Sequence, residues 1–159
     1  SMDEKTTKFY VPKEGTLIIG KDRFENIKSI KDNPVLEVDE EGKVKYLNFE
    51  TTKEVKNLKI LNLVSLDAKK GSQIYYNAET NEIDANNIEE ARIIYENLKA
   101  KGYFKVKYKK DNSLEKITLK TKGSSFTLEK QKISVEALGT TEIYFNKNDY
   151  DKSKVNKVY

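Results

Sequence analysis

Short segments in which apolar and polar residues alternate dominate the second half of the chain and constrain the fold more than any other feature. Successive side chains of a β-strand point to opposite faces of a sheet, so alternation is typical of strands with one buried and one solvated face. Polar turns separate the segments. We therefore predict an antiparallel meander built from YFKVKYKK, SLEKITLKTKG, SFTLEKQ, KISVEALG and TEIYF.

The first half of the chain also favours strands. The segments KFYVP and TLIIG are divided by a turn at residues 12–15, and a hairpin is predicted with its tip at residues 39–42. The segment LKILNLVSL has apolar residues at both odd and even positions, which predicts a central strand covered on both faces. In SQIYYN, the adjacent rings of Tyr75 and Tyr76 are expected to face opposite ways, one in the core and one outside.

Residues 87–102 interrupt the alternation and predict one α-helix. Asn87 is a suitable N-terminal cap with Glu90 three residues on, and lysines followed by Gly102 are typical of a helix end. Apolar residues recur at helical spacing, at Ile88, Ala91, Ile94, Tyr95 and Leu98. We predict a helix over residues 88–101 that packs this stripe against the sheet. The expected fold is α+β: mostly antiparallel β-sheet, with hairpins and a C-terminal meander, and one main α-helix.

The length of the chain indicates one β-rich domain, and its net charge bears on the class of partner. A chain of 159 residues fits a single core, which we assign to residues 1–145. Residues 146–159 are polar and basic, and we expect them to form a tail or linker. The net charge of +4 is less lopsided than is usual for a dedicated polyanion binder. No apolar run approaches the roughly 18 residues that span a bilayer, so no transmembrane segment is predicted.

Missing residue types restrict the chemistry. The chain has no Cys and no His, which excludes disulfides, a thiol nucleophile, an imidazole base and the usual zinc ligands. We predict no catalytic residues, no cofactor and no metal, although a hydrolase built on two carboxylates stays open because 26 residues are acidic. Trp is also absent, so tyrosines would have to supply any surface on which a sugar stacks. The lack of Cys slightly favours a location outside the cytoplasm, in an organism that avoids thiols in exported proteins, while chance or a reducing compartment accounts for it almost as well.

Residues 101–108, KGYFKVKY, allow two interpretations. They partly match the signature of the RNA-recognition motif, in which exposed rings stack on bases. Phe104 and Lys105 do not fit that signature, and a helix instead of a strand is predicted directly before it. The other interpretation is an amphipathic strand with Phe104, Val106 and Tyr108 facing the core. We prefer the strand because it accounts for more of the residues.

The opposite face of this strand is the predicted contact surface, formed by Tyr103, Lys105, Lys107 and Lys109. We expect a non-catalytic binding or structural module of a secreted, cell-surface or virion-associated protein, with a protein or cell-surface partner. The alternative is a domain that binds nucleic acid weakly through electrostatic attraction to the lysines. Convergence of the lysines of this region on one concave face would favour the nucleic-acid alternative, and a scattered arrangement would favour the binding or structural module. These lysines are Lys105, Lys107, Lys116, Lys120 and Lys122.

Two segments have the one, three, five spacing of oxygen ligands with which a calcium loop begins. They are Asp149, Asp151 and Ser153 near the C terminus, and Asn77, Glu79 and Asn81 in the middle of the chain. The first has Lys154 at the sixth position, where a calcium loop has Gly, and the chain ends before the twelfth; the second has Glu82 at the sixth and Ile88 at the twelfth, where Glu is needed. Both are therefore predicted to be ordinary polar segments.

Overall fold

A computed structural model describes residues 5–145, and this part of the chain contains thirteen β-strands and no helix. The strands are β1 (Thr7–Phe9), β2 (Gly15–Ile19), β3 (Asp22–Lys28), β4 (Leu36–Val38), β5 (Val44–Thr51), β6 (Val55–Ile60), β7 (Val64–Asn77), β8 (Glu82–Ile93), β9 (Leu98–Tyr108), β10 (Leu114–Leu119), β11 (Ser125–Leu128), β12 (Ile133–Glu136) and β13 (Thr141–Tyr144). Every described pairing is antiparallel. The fold is all-β, and the predicted α+β fold with a helix over residues 88–101 is wrong.

The strands form one sheet whose main path runs β1-β4-β5-β7-β8-β9-β10-β13. Long strands on this path are shared between different neighbours. Strand β7 pairs through residues 73–77 with β5 and through residues 64–68 with β6. Strand β9 pairs through residues 104–108 with β10 and through residues 98–101 with β11. The predicted C-terminal meander is thus interrupted, because the β11–β12 hairpin pairs with the other end of β9 and leaves β13 beside β10.

The central strands β7, β8 and β9 are irregular where they change partners. The β7–β8 register shifts between Ala68 and Gln73, and buried hydroxyls bond to the backbone near this break. Thr51 Oγ1 donates to the carbonyl of Lys69 at 2.7 Å and accepts from the backbone N–H of Ser72 at 2.9 Å. These hydroxyls satisfy backbone groups that have no ladder partner at a bulge, and so stabilise the irregular level of the sheet.

Bulges in β8 explain why the sequence resembled a helix. The buried residues of this strand are Ile83, Ala85, Ile88, Ala91 and Ile93. The β8–β9 register shifts between Ala85 and Ile88, and again between Ile88 and Ala91. Each bulge inserts one extra residue and so turns the strand spacing of two into a spacing of three. Apolar residues three positions apart also lie on one face of a helix. The two bulges therefore gave the buried residues of β8 the spacing that is typical of a helix.

The residues predicted to begin and end the helix lie instead in the hairpin formed by β8 and β9. Asn87 lies at the first bulge with a φ of 64°, in the left-handed region that asparagine tolerates. Gly102 has a φ of 93° and lies within β9. Tyr95 lies in the turn between the strands, and its side chain is 84% exposed instead of packed against the sheet.

The segment LKILNLVSL forms a hairpin, so the predicted central strand is also wrong. Strand β6 ends at Ile60 and β7 begins at Val64. Leu61 and Asn62 both have positive φ in the turn between them. A leucine is rarely found in this conformation. The sequence at Leu61 therefore did not indicate a turn. Within the described chain β6 pairs with β7 alone, which makes it an edge strand.

Alternate residues of the strands supply one buried hydrophobic cluster. Among its members, the rings of Phe24 and Phe49 contact each other with centroids 5.6 Å apart. Tyr76 is buried whereas Tyr75 is 37% exposed, which confirms that these adjacent rings face opposite ways. The hairpin predicted at residues 39–42 is also confirmed, since it joins β4 to β5.

Candidate binding face of the sheet

Strand β9 places most of the predicted contact residues on the outer face of the sheet. Phe104, Val106 and Tyr108 are buried, which confirms that they face the core. The residues that alternate with them have partly exposed side chains on the opposite face. They are Tyr103, Lys105 and Lys107, and Lys109 follows directly after the strand.

Carboxylates on strand β8 accompany two of the lysines. Lys105 Nζ lies 3.9 Å from the carboxylate of Glu82, and Lys120 Nζ lies 3.3 Å from that of Asp84. Burial tends to lower the pKa of Lys120, but the charge and hydrogen bond of Asp84 outweigh it and raise that pKa. Pairs this exposed contribute about 0–1 kcal/mol to stability. Their main effect here is to neutralise the positive charge of the face.

Two further lysines, on β9 and β10, also have partners. Lys116 Nζ lies 3.1 Å from the carboxylate of Glu142 on β13, and Lys107 Nζ donates to the carbonyl of Thr80. Burial tends to lower the pKa of Lys116, but the hydrogen bond and charge of Glu142 raise it overall. Lys122 is exposed in the turn after β10. Four of the five lysines therefore share one face, yet most of them are paired with a carboxylate.

The register of the strands aligns the outer-face residues in rows across the sheet. One row consists of Asn48 on β5, Tyr75 on β7, Asp84 on β8, Lys105 on β9 and Thr118 on β10. The neighbouring row contains Glu50 on β5, Gln73 on β7 and Asn86 on β8. Side chains that are far apart in sequence therefore converge over β7 and β8.

A shallow groove of about 210 Å³ lies over these two rows. Its polar and aromatic lining comprises Asn48, Gln73, Tyr75, Asp84, Asn86 and Tyr103. Ile30, which follows β3, also lines it. Because β3 pairs with β5 on one side and Tyr103 lies on β9 on the other, Ile30 and Tyr103 bound the groove at opposite sides.

Both aromatic rings of the groove are held by neighbours. The ring of Tyr75 stacks on that of Tyr46, with centroids 6.1 Å apart and planes inclined by 17°. Burial raises the pKa of the Tyr75 hydroxyl, and the nearby Tyr46 adds to the shift. Lys120 Nζ lies 4.9 Å from the centroid of the Tyr103 ring, a cation–π contact. The rings are thus oriented before any ligand arrives.

Three amide side chains in the groove form no hydrogen bond with the rest of residues 5–145. They belong to Asn48, Gln73 and Asn86. By contrast, Asn57 accepts from Arg92, and Asn62 donates to the hydroxyl of Tyr95. The amides of the groove are therefore available to a ligand.

Asparagines in the turn between β7 and β8 are used by the fold instead. Asn77 Oδ1 accepts from the backbone N–H of Glu79 at 2.9 Å, and Asn81 Nδ2 donates to the carbonyl of Lys109 at 2.8 Å. In the described part of the chain, no group of three or more Asp and Glu residues is arranged to hold a metal ion. The other calcium candidate, Asp149, Asp151 and Ser153, lies outside the described residues, as does the predicted tail at residues 146–159.

A second polar cluster lies on the part of the sheet formed by the first half of β7 and the second half of β8. Arg92 donates to the carboxylates of Asp67 at 2.9 Å and Glu90 at 2.6 Å. The hydrogen bond from Arg92 holds the pKa of Asp67 below its usual value. Because each charge already has its partner, this cluster is a structural ion-pair network.

A larger, open depression of about 540 Å³ lies beside β6. Its lining is entirely polar and comprises Lys21, Asp22, Arg23, Asn57, Lys59 and Asn62. Ligand sites are usually lined by apolar and aromatic side chains with a few polar groups. This depression is therefore a weaker candidate than the groove over β7 and β8.

Sequence reasoning identified one wall of the groove, at Tyr103, but missed the amides of Asn48, Gln73 and Asn86. A signal for two of them was present. Asparagine is unfavourable inside strands, and Asn48 and Asn86 each occupy a segment that forms a strand. The convergence of these residues depends on strand register, which the sequence pattern alone did not define.

No helix suited to crossing a membrane occurs between residues 5 and 145. Comparisons with protein-family models, with curated proteins and with solved structures find no match for this chain.

Proposed function

We propose that this chain is a non-catalytic binding module whose contact surface is the outer face of the sheet around β7, β8 and β9. The observation that supports this most is the convergence of free amides and two oriented tyrosine rings in one groove. A few convergent polar groups beside aromatic surface are characteristic of a recognition site. Placing these groups on strands instead of loops keeps their geometry rigid.

Two acidic side chains with a lowered pKa are poor candidates for a general acid. A general acid needs a raised pKa so that it holds its proton at neutral pH. The hydrogen bond from Arg92 lowers the pKa of Asp67, and hydrogen bonds from Ser113 lower that of Asp111. These two carboxyls are thus better suited to ion pairs and turns than to acid catalysis.

Four of the five lysines share one face, which supports nucleic-acid binding, but the pairing of most of them with carboxylates favours a cell-surface or protein partner. Affinity for a phosphate backbone depends on unpaired Lys and Arg that release counterions on binding. On the outer face, Lys105, Lys116 and Lys120 already lie beside carboxylates. These carboxylates would repel phosphates that approach the same lysines, which leaves electrostatic nucleic-acid binding as the weaker proposal.

Removing the two rings of the groove tests the proposed surface. The fluorescently labelled chain is incubated with intact cells of several types, and bound protein is measured by flow cytometry. The double variant Tyr75→Ser with Tyr103→Ser should lose at least about tenfold in apparent affinity, because aromatic anchors contribute much of the energy of an interface. The variant Tyr95→Ser serves as the matched control, since this exposed tyrosine lies in the β8–β9 turn.

Circular dichroism and thermal melting should show that the double variant stays folded. Undiminished cell binding by the double variant would place the contact surface elsewhere. Tight binding of single-stranded RNA at about 0.2 M salt, where purely electrostatic contacts lose orders of magnitude, would favour the nucleic-acid alternative instead.

A further inference from the structure

The amide side chains of Asn48, Gln73 and Asn86 make no hydrogen bond within residues 5–145. Asn48 and Asn86 occupy strand positions that disfavour asparagine. With Gln73 they offer N–H donors and carbonyl acceptors side by side. A sugar hydroxyl both donates and accepts a hydrogen bond, so a set of neighbouring amides matches a set of neighbouring hydroxyls.

The tyrosine rings supply the apolar part of such a site. One face of a sugar ring carries mostly C–H groups, which pack well against an aromatic ring. Tyr75 is 37% exposed in the groove, and its stacking on Tyr46 fixes its orientation. A ring that is already oriented loses little entropy when the ligand binds.

The charge of the groove selects a neutral ligand. Among the residues that line it, Asp84 is the one with a charged side chain, and Lys120 lies 3.3 Å from its carboxylate. The pair leaves the groove close to electrically neutral. A phosphate, sulfate or uronate would meet the carboxylate of Asp84 without an unpaired cation to compensate.

The volume of the groove limits the size of the ligand that it can bind. Pockets that enclose a small molecule measure about 300–1,000 Å³, whereas this groove measures about 210 Å³ and is open to solvent. We infer that the groove binds one neutral sugar residue of a longer glycan, through the amides of Asn48, Gln73 and Asn86 and the ring of Tyr75. This inference rests on the proposed binding function and specifies its ligand.

An array of immobilised neutral, sialylated and sulfated oligosaccharides tests the inference. The wild-type chain should bind a subset of the neutral oligosaccharides. The double variant Gln73→Ala with Asn86→Ala should bind them roughly five- to a hundredfold less tightly, because two hydrogen bonds to the sugar are lost. The variant Asn97→Ala is the matched control, since this exposed amide in the β8–β9 turn makes no side-chain hydrogen bond in the described chain. It should bind like the wild type.

Cells treated with periodate, which cleaves the vicinal diols of sugars, separate this inference from the proposed function. Loss of wild-type binding after treatment supports a glycan ligand. Binding that survives periodate but is lost in the variant Tyr75→Ser with Tyr103→Ser would overturn the sugar inference and leave the binding face intact. Binding of acidic oligosaccharides alone on the array would overturn it as well.

Discussion

Replacing Val106 with Asp is expected to remove a large part of the protein's stability at neutral pH. Val106 is fully buried, and its neighbours across the strands, Ile83 and Ile117, are fully buried too. No cation is among these neighbours, so the introduced carboxylate would be desolvated and unpaired. The cost is several kcal/mol, which is comparable to the total stability of about 5–15 kcal/mol of a typical domain. Urea titration followed by circular dichroism measures the loss.

The pH dependence and a surface variant serve as controls. The buried carboxyl would have a pKa above its unfolded value of about 3.9. The penalty should therefore be largest at neutral pH and shrink as the pH falls towards 4, because the protonated form is neutral. Thr118→Asp places the same group on the solvated face of β10, opposite Lys105, and should change stability by less than about 1 kcal/mol. A neutral effect of Val106→Asp would mean that the faces of β9 are assigned the wrong way round.

Gly102→Ala should have the second largest effect, a loss of about 2–4 kcal/mol. The residue has a φ of 93°, which is strained for any side chain, and an added Cβ would lie 2.9 Å from Cα of Ser124. The collision also threatens the hydrogen bond that Ser124 Oγ accepts from the backbone N–H of Tyr103 at 2.9 Å. Thermal and urea unfolding of the purified variant quantify the loss.

Alanine substitutions at two other glycines separate the cost of the backbone conformation from the cost of the steric contact. Gly71 has a φ of 83°, and an added Cβ would meet no atom within 4 Å, so Gly71→Ala reports the cost of the backbone conformation alone. We expect a loss of about 1 kcal/mol there. Gly139 has neither a positive φ nor a close neighbour, so Gly139→Ala should be neutral or slightly stabilising. Equal effects at all three sites would contradict the close approach of Gly102 to Ser124.

Alternation was a reliable guide wherever a strand is regular. In β9 it placed Phe104, Val106 and Tyr108 in the core, and the structure agrees. The physical reason is that the side-chain period of a strand is two whatever its neighbours are. The sequence could therefore predict which face of a strand is buried before the partner strands were known.

The same reasoning failed where the strands bulge or turn without a turn residue. The spacing of Ile88 and Ala91 in β8 is set by bulges that depend on pairing with β7 and β9, which are non-local. Leu61 lies in a turn that its residue type does not signal. Local patterns cannot report such features, because tertiary pairing overrides local propensity.

The groove was beyond the reach of the sequence for a related reason. Its amides come from β5, β7 and β8, and only the register brings Asn48, Gln73 and Asn86 together. The lysines of β9 were more conspicuous in the sequence, but the structure pairs Lys105 with Glu82. The sequence marks Asn48 and Asn86 individually as unfavourable strand residues, but it does not show that they converge.

Nuclear magnetic resonance of residues 82–108 tests the central claim most directly, because the groove exists only if this segment forms two paired strands. We expect extended-strand chemical shifts over residues 82–93 and 98–108. Cross-strand contacts should join Asp84 to Lys105 and Ala91 to Ala100. Continuous helical shifts over residues 88–101, without those cross-strand contacts, would contradict the account, since Asp84 and Tyr103 would then no longer be held on one face.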